Sequence, residues 1–376
     1  MHPIKFIHCA DIHIGAALTY LGTAAAKRRA EALLTLEKIV NIVREQNADL
    51  LLIAGDLFDA NGIEPQLAQS TISALAEASP ARVIIAAGNH DPLTASCFYR
   101  QLKLPENVFV LSTEDTCLAF DDIKTRVYGR SFAEVYMKSS ESFSLDTLED
   151  GYNNIMVLHG DISGDASSPY NSISSDFIRS SGMDYIALGH IHKRSEPQKL
   201  GNTVYAYSGC PEGQGFDETG EKGVYLGDTA SGEILLQFIP CSIRQHREIH
   251  IDLSACTNEQ EIISLVLDTV RAIPDYSEQL YKLVLKGALC EGLNVPTAEL
   301  LSRLSSEVFF VKLRDKTTVK LDLELAAKEN SLKGIFIRKM LEKRANATTD
   351  ELPLIDSALD IGIRAFFSEV KYRDVQ

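Results

Sequence analysis

The stretch DLLLIAG, residues 49–55, restricts the fold more than any other part of this chain. It carries a continuous apolar run with no polar alternation, so a strand formed there has to be covered on both faces. The interior of a sheet packed on both sides meets that condition. Comparable segments recur at IKFIHCA (4–10), RVIIAAG (82–88), NIMVLHG (154–160) and YIALGH (185–190). Two stretches of helical periodicity lie among them. One is AAAKRRAEALLTLEKIVNIVREQ (24–46), with Leu33, Leu36, Val40 and Val43 as its apolar stripe; the other is QLAQSTISALAEA (66–78). Short buried strands alternating with helices predict βαβ units and a largely parallel sheet in an α/β fold.

From about residue 203 the pattern changes. TVYAYSG and KGVYLGDTASGEILLQFIP are alternating runs broken by glycine-containing turns, and are expected to be antiparallel strands that close the first domain, residues 1–244. A smaller α+β unit over 245–320 is expected from the strand REIHIDL, a helix over 258–272, the strand LYKLVLKGA, a short helix near 297–304 and the strand VFFVKLRD. Residues 321–376 read as helices. Leu332, Phe336 and Met340 are spaced four apart in one, and Ile355, Leu359, Ile363, Phe366 and Val370 make a narrow apolar stripe in the last.

Polar residues gather where the buried strands end. The first strand runs into Asp11 and His13, the second into Asp56 and Asp59, and the third into Asn89, His90 and Asp91. Later strands run into His159 and into His190 and His192. Five of the nine histidines sit in these clusters. In an open α/β sheet, ligands bind beyond the carboxyl ends of the strands. Taken singly, an Asp-x-His pair is more often a turn or a helix cap, and alternate histidines often line a wet edge. Five such clusters in one chain, all at strand ends, point instead to a shared site. Carboxylate, imidazole and amide oxygen suit divalent ions such as manganese, iron or zinc. Seven such donors are too many for one ion and enough for two, the arrangement that clamps both oxygens of an in-line displacement at phosphorus.

Composition narrows the function classes. The seven cysteines are scattered with no CxxC pair, which argues against a disulfide framework or a structural zinc knuckle. There is no phosphate-binding GxxxxGK[ST] loop, no apolar run long enough to span a membrane and no signal peptide, so the expected location is the cytoplasm. The net charge of −15 resides mostly in residues 1–244, which carry 19 Lys/Arg against 31 Asp/Glu. A chain so acidic binds phosphate backbones only through local basic patches or a partner. Candidate contacts are Lys312, Arg314, Lys316 and Lys320, and Lys27, Arg28 and Arg29, each of which is more simply read as part of a solvated face.

The order D-x-H, G-D-x-x-D, G-N-H-D, H-G, G-H-x-H over about residues 4–240 resembles the calcineurin-like metallophosphoesterase superfamily. Within it, FIHCADIHIG, LLIAGDLFDANG, AAGNHDP, ALGHIHK and YSGCPEGQGFDETGEKGVYLG look like the SbcD-type nucleases of DNA double-strand-break repair. The resemblance implies a four-layer sandwich of mixed sheets flanked by helices, followed by a DNA-recognition cap and C-terminal helices. It implies one metal on Asp11, His13, Asp56 and His192, and a second on Asp56, Asn89, His159 and His190. His90 is implied to meet the scissile phosphate, with Asp91 orienting it. Manganese as the ion, DNA as substrate, an SMC-like ATPase of the SbcC type as partner and a homodimer also follow from the resemblance. The terminal stripe is then an ATPase-docking face or packs on the cap. Asp59 departs from the histidine that some members carry there, which leaves strand polarity open. Two other readings keep parts of this picture: a hydrolase of a small phosphomonoester or cyclic nucleotide, and a non-catalytic scaffold for an ATPase.

Overall fold

The computed structural model describes residues 2–59, 63–137, 148, 151–162, 168–320 and 323–367. The chain divides into two compact units, Met1–His246 and Arg247–Gln376.

The first unit contains two six-stranded sheets. Its strands are β1 (Lys5–Cys9), β2 (Leu50–Ala54), β3 (Arg82–Ala86), β4 (Val108–Val110), β5 (Thr116–Phe120), β6 (Thr125–Gly129), β7 (Asn153–His159), β8 (Tyr185–Gly189), β9 (Gln198–Leu200), β10 (Thr203–Tyr207), β11 (Gly223–Asp228) and β12 (Leu235–Pro240). One sheet has the order β12-β11-β1-β2-β3-β4 and the other β5-β6-β7-β8-β10-β9. The central pairings β1–β2, β2–β3, β6–β7 and β7–β8 are parallel, and antiparallel strands sit towards the edges.

Alternation within the apolar strands decides which layer each side chain enters, because successive side chains point to opposite faces. In β1, β2 and β3, Phe6, Leu50, Leu52, Ala54, Ile84 and Ala86 pack with Val127, Ile155, Val157, Tyr185 and Ala187 of the second sheet. Ile7, Leu51, Ile53, Val83 and Ile85 face the other way, against Leu36, Ile39, Val40 and Val43 of α1 (Ala25–Glu45) and Ile72 and Leu75 of α2 (Pro65–Ala76). On the far side of the second sheet, Met156, Leu158, Ile186 and Leu188 meet Ile178. Two short helices complete the unit, α3 (Phe98–Gln101) and α4 (Ser175–Ser180), the latter capped by Ser174 Oγ accepting from Phe177 N. The result is the expected α/β arrangement of two mixed sheets flanked by helices.

The strands expected as an antiparallel closure separate instead. TVYAY becomes β10 and lies parallel to β8, with the short β9 antiparallel on its outer side. The β11–β12 hairpin joins the other sheet, antiparallel to β1. Both runs have the same local pattern, and only their long-range partners differ. The strands over 108–129 are short or broken by polar residues, with no apolar run longer than the four residues of VFVL at 108–111, so the sequence pattern does not single them out.

The second unit contains β13 (His246–Asp252, whose first residue falls in the first unit), β14 (Leu280–Cys290) and β15 (Phe310–Lys320), with β14 and β15 parallel over their whole length. Helices α5 (Glu259–Arg271) and α6 (Thr297–Glu307) cover one face through Ile262, Val266, Val270, Leu300 and Leu304, which meet Tyr281, Leu283 and Leu285. Asn258 and Glu261 form a reciprocal cap at the start of α5. Three helices follow: α7 (Leu323–Ala326), α8 (Leu332–Ala345) and α9 (Leu352–Phe367). Leu359 and Ile363 of the terminal stripe are buried against Ala326 and Ile337, so two of its five residues are consumed within the unit. Leu332, Leu354 and Ile361 are among the apolar residues of α8 and α9 that face water. Val370 lies outside the described residues.

Candidate metal centre

The turns after β1, β2, β3, β7 and β8 converge at one end of the two sheets. Parallel pairing places β1 beside β2, β2 beside β3 and β7 beside β8 in step, so their carboxyl ends come out together. The chain leaves three of these strands through an unusual backbone. Asp11, His13, Asp56 and His190 all have positive φ, at 54°, 51°, 52° and 97°. Such angles are uncommon for residues with a side chain and collect at functional sites, where the surrounding fold holds them. Backbone bonds between the first two turns do this here: Asp11 N donates to Gly55 O and His13 N to Asp56 O.

Two glycines make the convergence possible. A Cβ on Gly55, itself at φ 94°, would stand 2.1 Å from His159 Nδ1, and one on Gly88 would stand 2.2 Å from Asp56 Oδ1. The glycines that precede Asp56 and Asn89 in the sequence are therefore space for the site's own side chains.

All seven donors expected from the sequence meet here. Asp11, His13 and His192 present ligand atoms within 4.8 Å of one another, and so do Asp11, Asp56 and His159. Asn89 Oδ1 accepts from His159 Nε2 at 2.9 Å and lies 3.3 Å from His190 Nδ1. His159 Nε2 is also 3.3 Å from Asp56 Oδ2. The two ring nitrogens His13 Nε2 and His192 Nε2 face each other at 3.1 Å. Asp11, His13, Asp56, Asn89 and His159 are buried, and His190 and His192 partly so.

This donor set fits divalent cations. Paired imidazole nitrogens aimed at one point, with carboxylates and an amide oxygen around it, are otherwise satisfied only by protons. His159 shows this directly. Its Nδ1 faces Ala54 O at 2.9 Å while its Nε2 faces two oxygens, so acceptors surround both nitrogens. Burial alone would keep the ring neutral, but the Asp56 and Asp11 carboxylates and the Ala54 carbonyl together outweigh burial and lift its pKa to about 9. Asp56 is affected reciprocally: burial raises its pKa, and His159 and His13 more than reverse the shift, holding the carboxyl well below the usual range.

His90 stands beside the donors. Its side chain is 41% exposed, its ring packs edge-on to His13 at 4.7 Å, and its backbone N–H donates to Asp56 Oδ1. The residue that orients it is Asp59, whose Oδ1 lies 2.9 Å from His90 Nδ1. That bond raises the His90 pKa. Asp91, expected to orient His90, makes no such contact. Its buried carboxylate accepts from Gly88 N at 2.7 Å, Phe58 N at 3.2 Å and Tyr99 Oη at 2.5 Å, and so ties the turn after β3 to the turn after β2. The reason is geometric. Adjacent residues in this turn point apart, and Asp59 reaches His90 from the neighbouring strand end.

Glu218 was not legible from the sequence. It lies 26 residues from His192, yet its Oε1 is 2.6 Å from His192 Nδ1 and its Oε2 accepts from Gln214 N and Cys210 Sγ. Burial raises the Glu218 pKa, but the bond and charge of His192, with the bonds from Gln214 N and Cys210 Sγ, together bring it down to about 2. A carboxylate on the far nitrogen of a ligand histidine fixes its tautomer and orientation. The loop carrying Glu218 is anchored by a buried ion network in which Glu212 accepts from Arg28, Thr35 Oγ1 and Ile243 N, while Glu31 pairs with Arg28 and Arg244. Arg28 is thus spent in the interior and is not available to a phosphate backbone, and Arg29 donates to Ala17 O. Glu218→Gln is expected to weaken divalent-metal affinity about 10- to 100-fold while leaving the melting temperature of metal-free protein within a few degrees. Isothermal titration with manganese measures the first and calorimetry the second.

The sequence profile of the calcineurin-like phosphoesterases matches residues 4–194, just over half of the chain and the part that holds all seven donors. This protein belongs to the calcineurin-like phosphoesterase family. As a calcineurin-like phosphoesterase it is 28% identical over 303 residues to the uncharacterized metallophosphoesterase YhaO of Bacillus subtilis, covering 77% of this chain and 73% of that protein. It is 24% identical over 278 residues to the DNA double-strand break repair protein Mre11 of Methanopyrus kandleri, covering 67% of this chain and 58% of the archaeal one. Identity to the SbcD component of the nuclease SbcCD of Bacillus subtilis is also 24%, over 61% of this chain and 67% of that protein. Among the described residues, no helix is long and apolar enough to cross a membrane.

Proposed function

We propose that this calcineurin-like phosphoesterase is a two-metal nuclease that hydrolyses DNA phosphodiesters. The observation that carries the reading is the meeting of seven donors beside a half-exposed histidine whose ring is already aimed by a carboxylate. Asp11, His13, Asp56 and His192 would hold one ion, and Asp56, Asn89, His159 and His190 the other, manganese being the preferred metal. Bound there, the ions supply Lewis acidity at phosphorus and a nucleophile at neutral pH.

His90 supplies the proton. With Nδ1 engaged by Asp59, Nε2 is the ring atom left for the substrate, and the Asp59 bond raises the ring's pKa and so favours its protonated form. It then donates to the leaving oxygen as a general acid. Glu218 holds His192 from behind, and Asp91 holds together the turns that carry Asn89 and Asp56.

The similarity to Mre11 and to the SbcD component of SbcCD supports DNA as the substrate, and so does the second unit. Along β15, Val311 and Leu313 pack inward, so Lys312, Arg314, Lys316 and Lys320 share the opposite face. Lys282 and Lys286 of β14 lie opposite Lys312 and Lys316 on that face. Lys282 is already paired with Glu248 at 2.8 Å, so the other five cations are the ones that would form a local phosphate-binding strip on an overall acidic chain. An SbcC-type ATPase is the partner in this reading, docking on the exposed Leu332, Leu354 and Ile361 rather than on the buried Leu359 and Ile363.

The test is digestion of linear duplex DNA by purified protein with manganese, with magnesium and with EDTA. Manganese-dependent digestion that falls about 10²- to 10⁴-fold in His90→Ala, with metal content retained, is the expected result. Turnover of p-nitrophenyl phosphate or cyclic AMP in preference to any DNA would overturn the reading. A pH profile separates Asp59 from His90. The acid form of His90 is the active one, so activity is lost as pH rises through its pKa. Asp59→Ala removes the bond that raises this pKa and should move the alkaline limb of kcat/KM to lower pH; an unmoved limb would assign the proton to another group.

A further inference from the structure

We propose that Tyr136 and Tyr170 form a stacking platform for the base of the nucleotide whose phosphate enters the metal centre. This rests on the nuclease reading and adds a ligand subsite to it. The Tyr170 ring lies 5.0 Å from that of His190 with 35° between their planes, and the Tyr136 ring lies 5.9 Å from Tyr170 at 46°. Three rings therefore lead outward from a candidate metal ligand to solvent, ending in a tyrosine that is 65% exposed. An isolated exposed tyrosine calls for no explanation. A tyrosine at the end of a ring ladder that begins at the metal centre is different, because only two ring contacts separate its exposed side chain from a candidate metal ligand.

The ladder is tied to the same strand ends as the site. Met137 N donates to Pro169 O at 2.9 Å, and Asn171 N donates to Met137 O at 2.7 Å, so the segments carrying the two tyrosines are bridged. Asn171 then reaches the metal centre, its Nδ2 donating to His159 O at 2.8 Å. Gly160 permits this approach, since a Cβ there would stand 2.4 Å from Asn171 O. Asn171 holds its left-handed backbone, φ 49°, between these bonds. The backbone that carries Tyr170 is consequently held in place on both sides of the ring that meets His190.

The chemistry selects the occupant. A phosphodiester of DNA brings one flat apolar group with each phosphate, its base, and aromatic faces stack every base with little regard to sequence. The platform would grip the terminal base while the ions engage its phosphate, and an end lacking the base would lose that grip.

The experiment uses the full chain, loaded with manganese, in a His90→Ala background so that turnover is slow. Fluorescence anisotropy at fixed salt compares binding of a duplex whose terminal nucleotide carries a base with one whose terminal nucleotide is abasic, placed at the 3′ and 5′ ends in turn. The base-bearing end should bind roughly 5- to 150-fold more tightly, the range expected for one base stack. Adding Tyr136→Ala should abolish this preference and Tyr136→Phe should keep it. Equal binding of the two ends by the parent, or a preference that survives Tyr136→Ala, overturns the platform. A loss of affinity in Tyr136→Ala that is equal for both ends also overturns it, because that outcome marks a backbone contact. Failure of the nuclease reading shows separately, as absence of DNA digestion by the wild-type protein with manganese. DNA digestion without any base preference sinks the platform and leaves the nuclease standing.

Discussion

Asp56→Asn should bind little manganese and lose about three orders of magnitude or more in phosphoester hydrolysis. The side chain is buried and belongs to both of the four-residue donor sets proposed above, so its charge counts for both ions. Its loss forfeits several kcal/mol of metal-dependent transition-state stabilisation, and each ~1.4 kcal/mol is tenfold in rate. The exchange also removes the buried carboxylate paired with His159, so the metal-free variant is expected to melt below wild type near neutral pH, although asparagine keeps an acceptor oxygen for His90 N. Inductively coupled plasma mass spectrometry on gel-filtered protein and hydrolysis of bis(p-nitrophenyl) phosphate check the two halves of this expectation. Full metal content with wild-type turnover would show that Asp56 does not lie between the ions.

The second large effect couples metal, proton and stability. Without metal, His159 is an imidazolium paired with Asp56, its pKa raised from 6.5 to about 9. A group whose pKa is higher in the folded than in the unfolded chain stabilises the fold fully below the unfolded value, and that stabilisation disappears as pH rises through the folded value. Metal-free protein should therefore lose melting temperature between about pH 6.5 and 9. The metal-loaded protein should behave in the opposite sense. A cation at Nε2 has to displace the proton, so its affinity should rise by up to roughly tenfold per pH unit across this window, with proton release on binding. Ala54 O keeps Nδ1 in either state. Differential scanning calorimetry with EDTA and with manganese from about pH 6 to 9.5 reads both trends. Parallel curves would mean that His159 is not a ligand.

The gathering of these candidate donors was legible because the constraint on each is local. A polar group set at the mouth of a buried strand here follows an apolar run and a small residue that lets another strand's side chain approach. Those three features are contiguous in LLLIAGD, AAGNHD and IALGH. The same holds for the α/β layers of the first unit, since residues 49–55 cannot be solvated on either face and alternation alone sends Leu50 and Leu52 one way and Leu51 and Ile53 the other.

Relations between distant segments carry no such local mark. Whether TVYAY pairs parallel or antiparallel depends on which strand is already beside it, and β8 and β9 supply opposite answers on its two sides. His90 has an acidic neighbour in sequence, Asp91, and a different one in space, Asp59, because backbone direction in the turn outweighs adjacency. Glu218 meets His192 on a loop that Glu212 ties to Arg28 and Thr35 of α1, a helix nearly two hundred residues earlier. Arg28 itself, which looks like part of a solvated basic run, is drawn inside by two buried carboxylates. In the terminal helices, Leu359 and Ile363 share a periodicity with Phe366 that says only that one face is apolar. What covers an apolar face is decided by the partner that removes the most surface from water, and for Leu359 and Ile363 that partner is the chain's own α7 and α8.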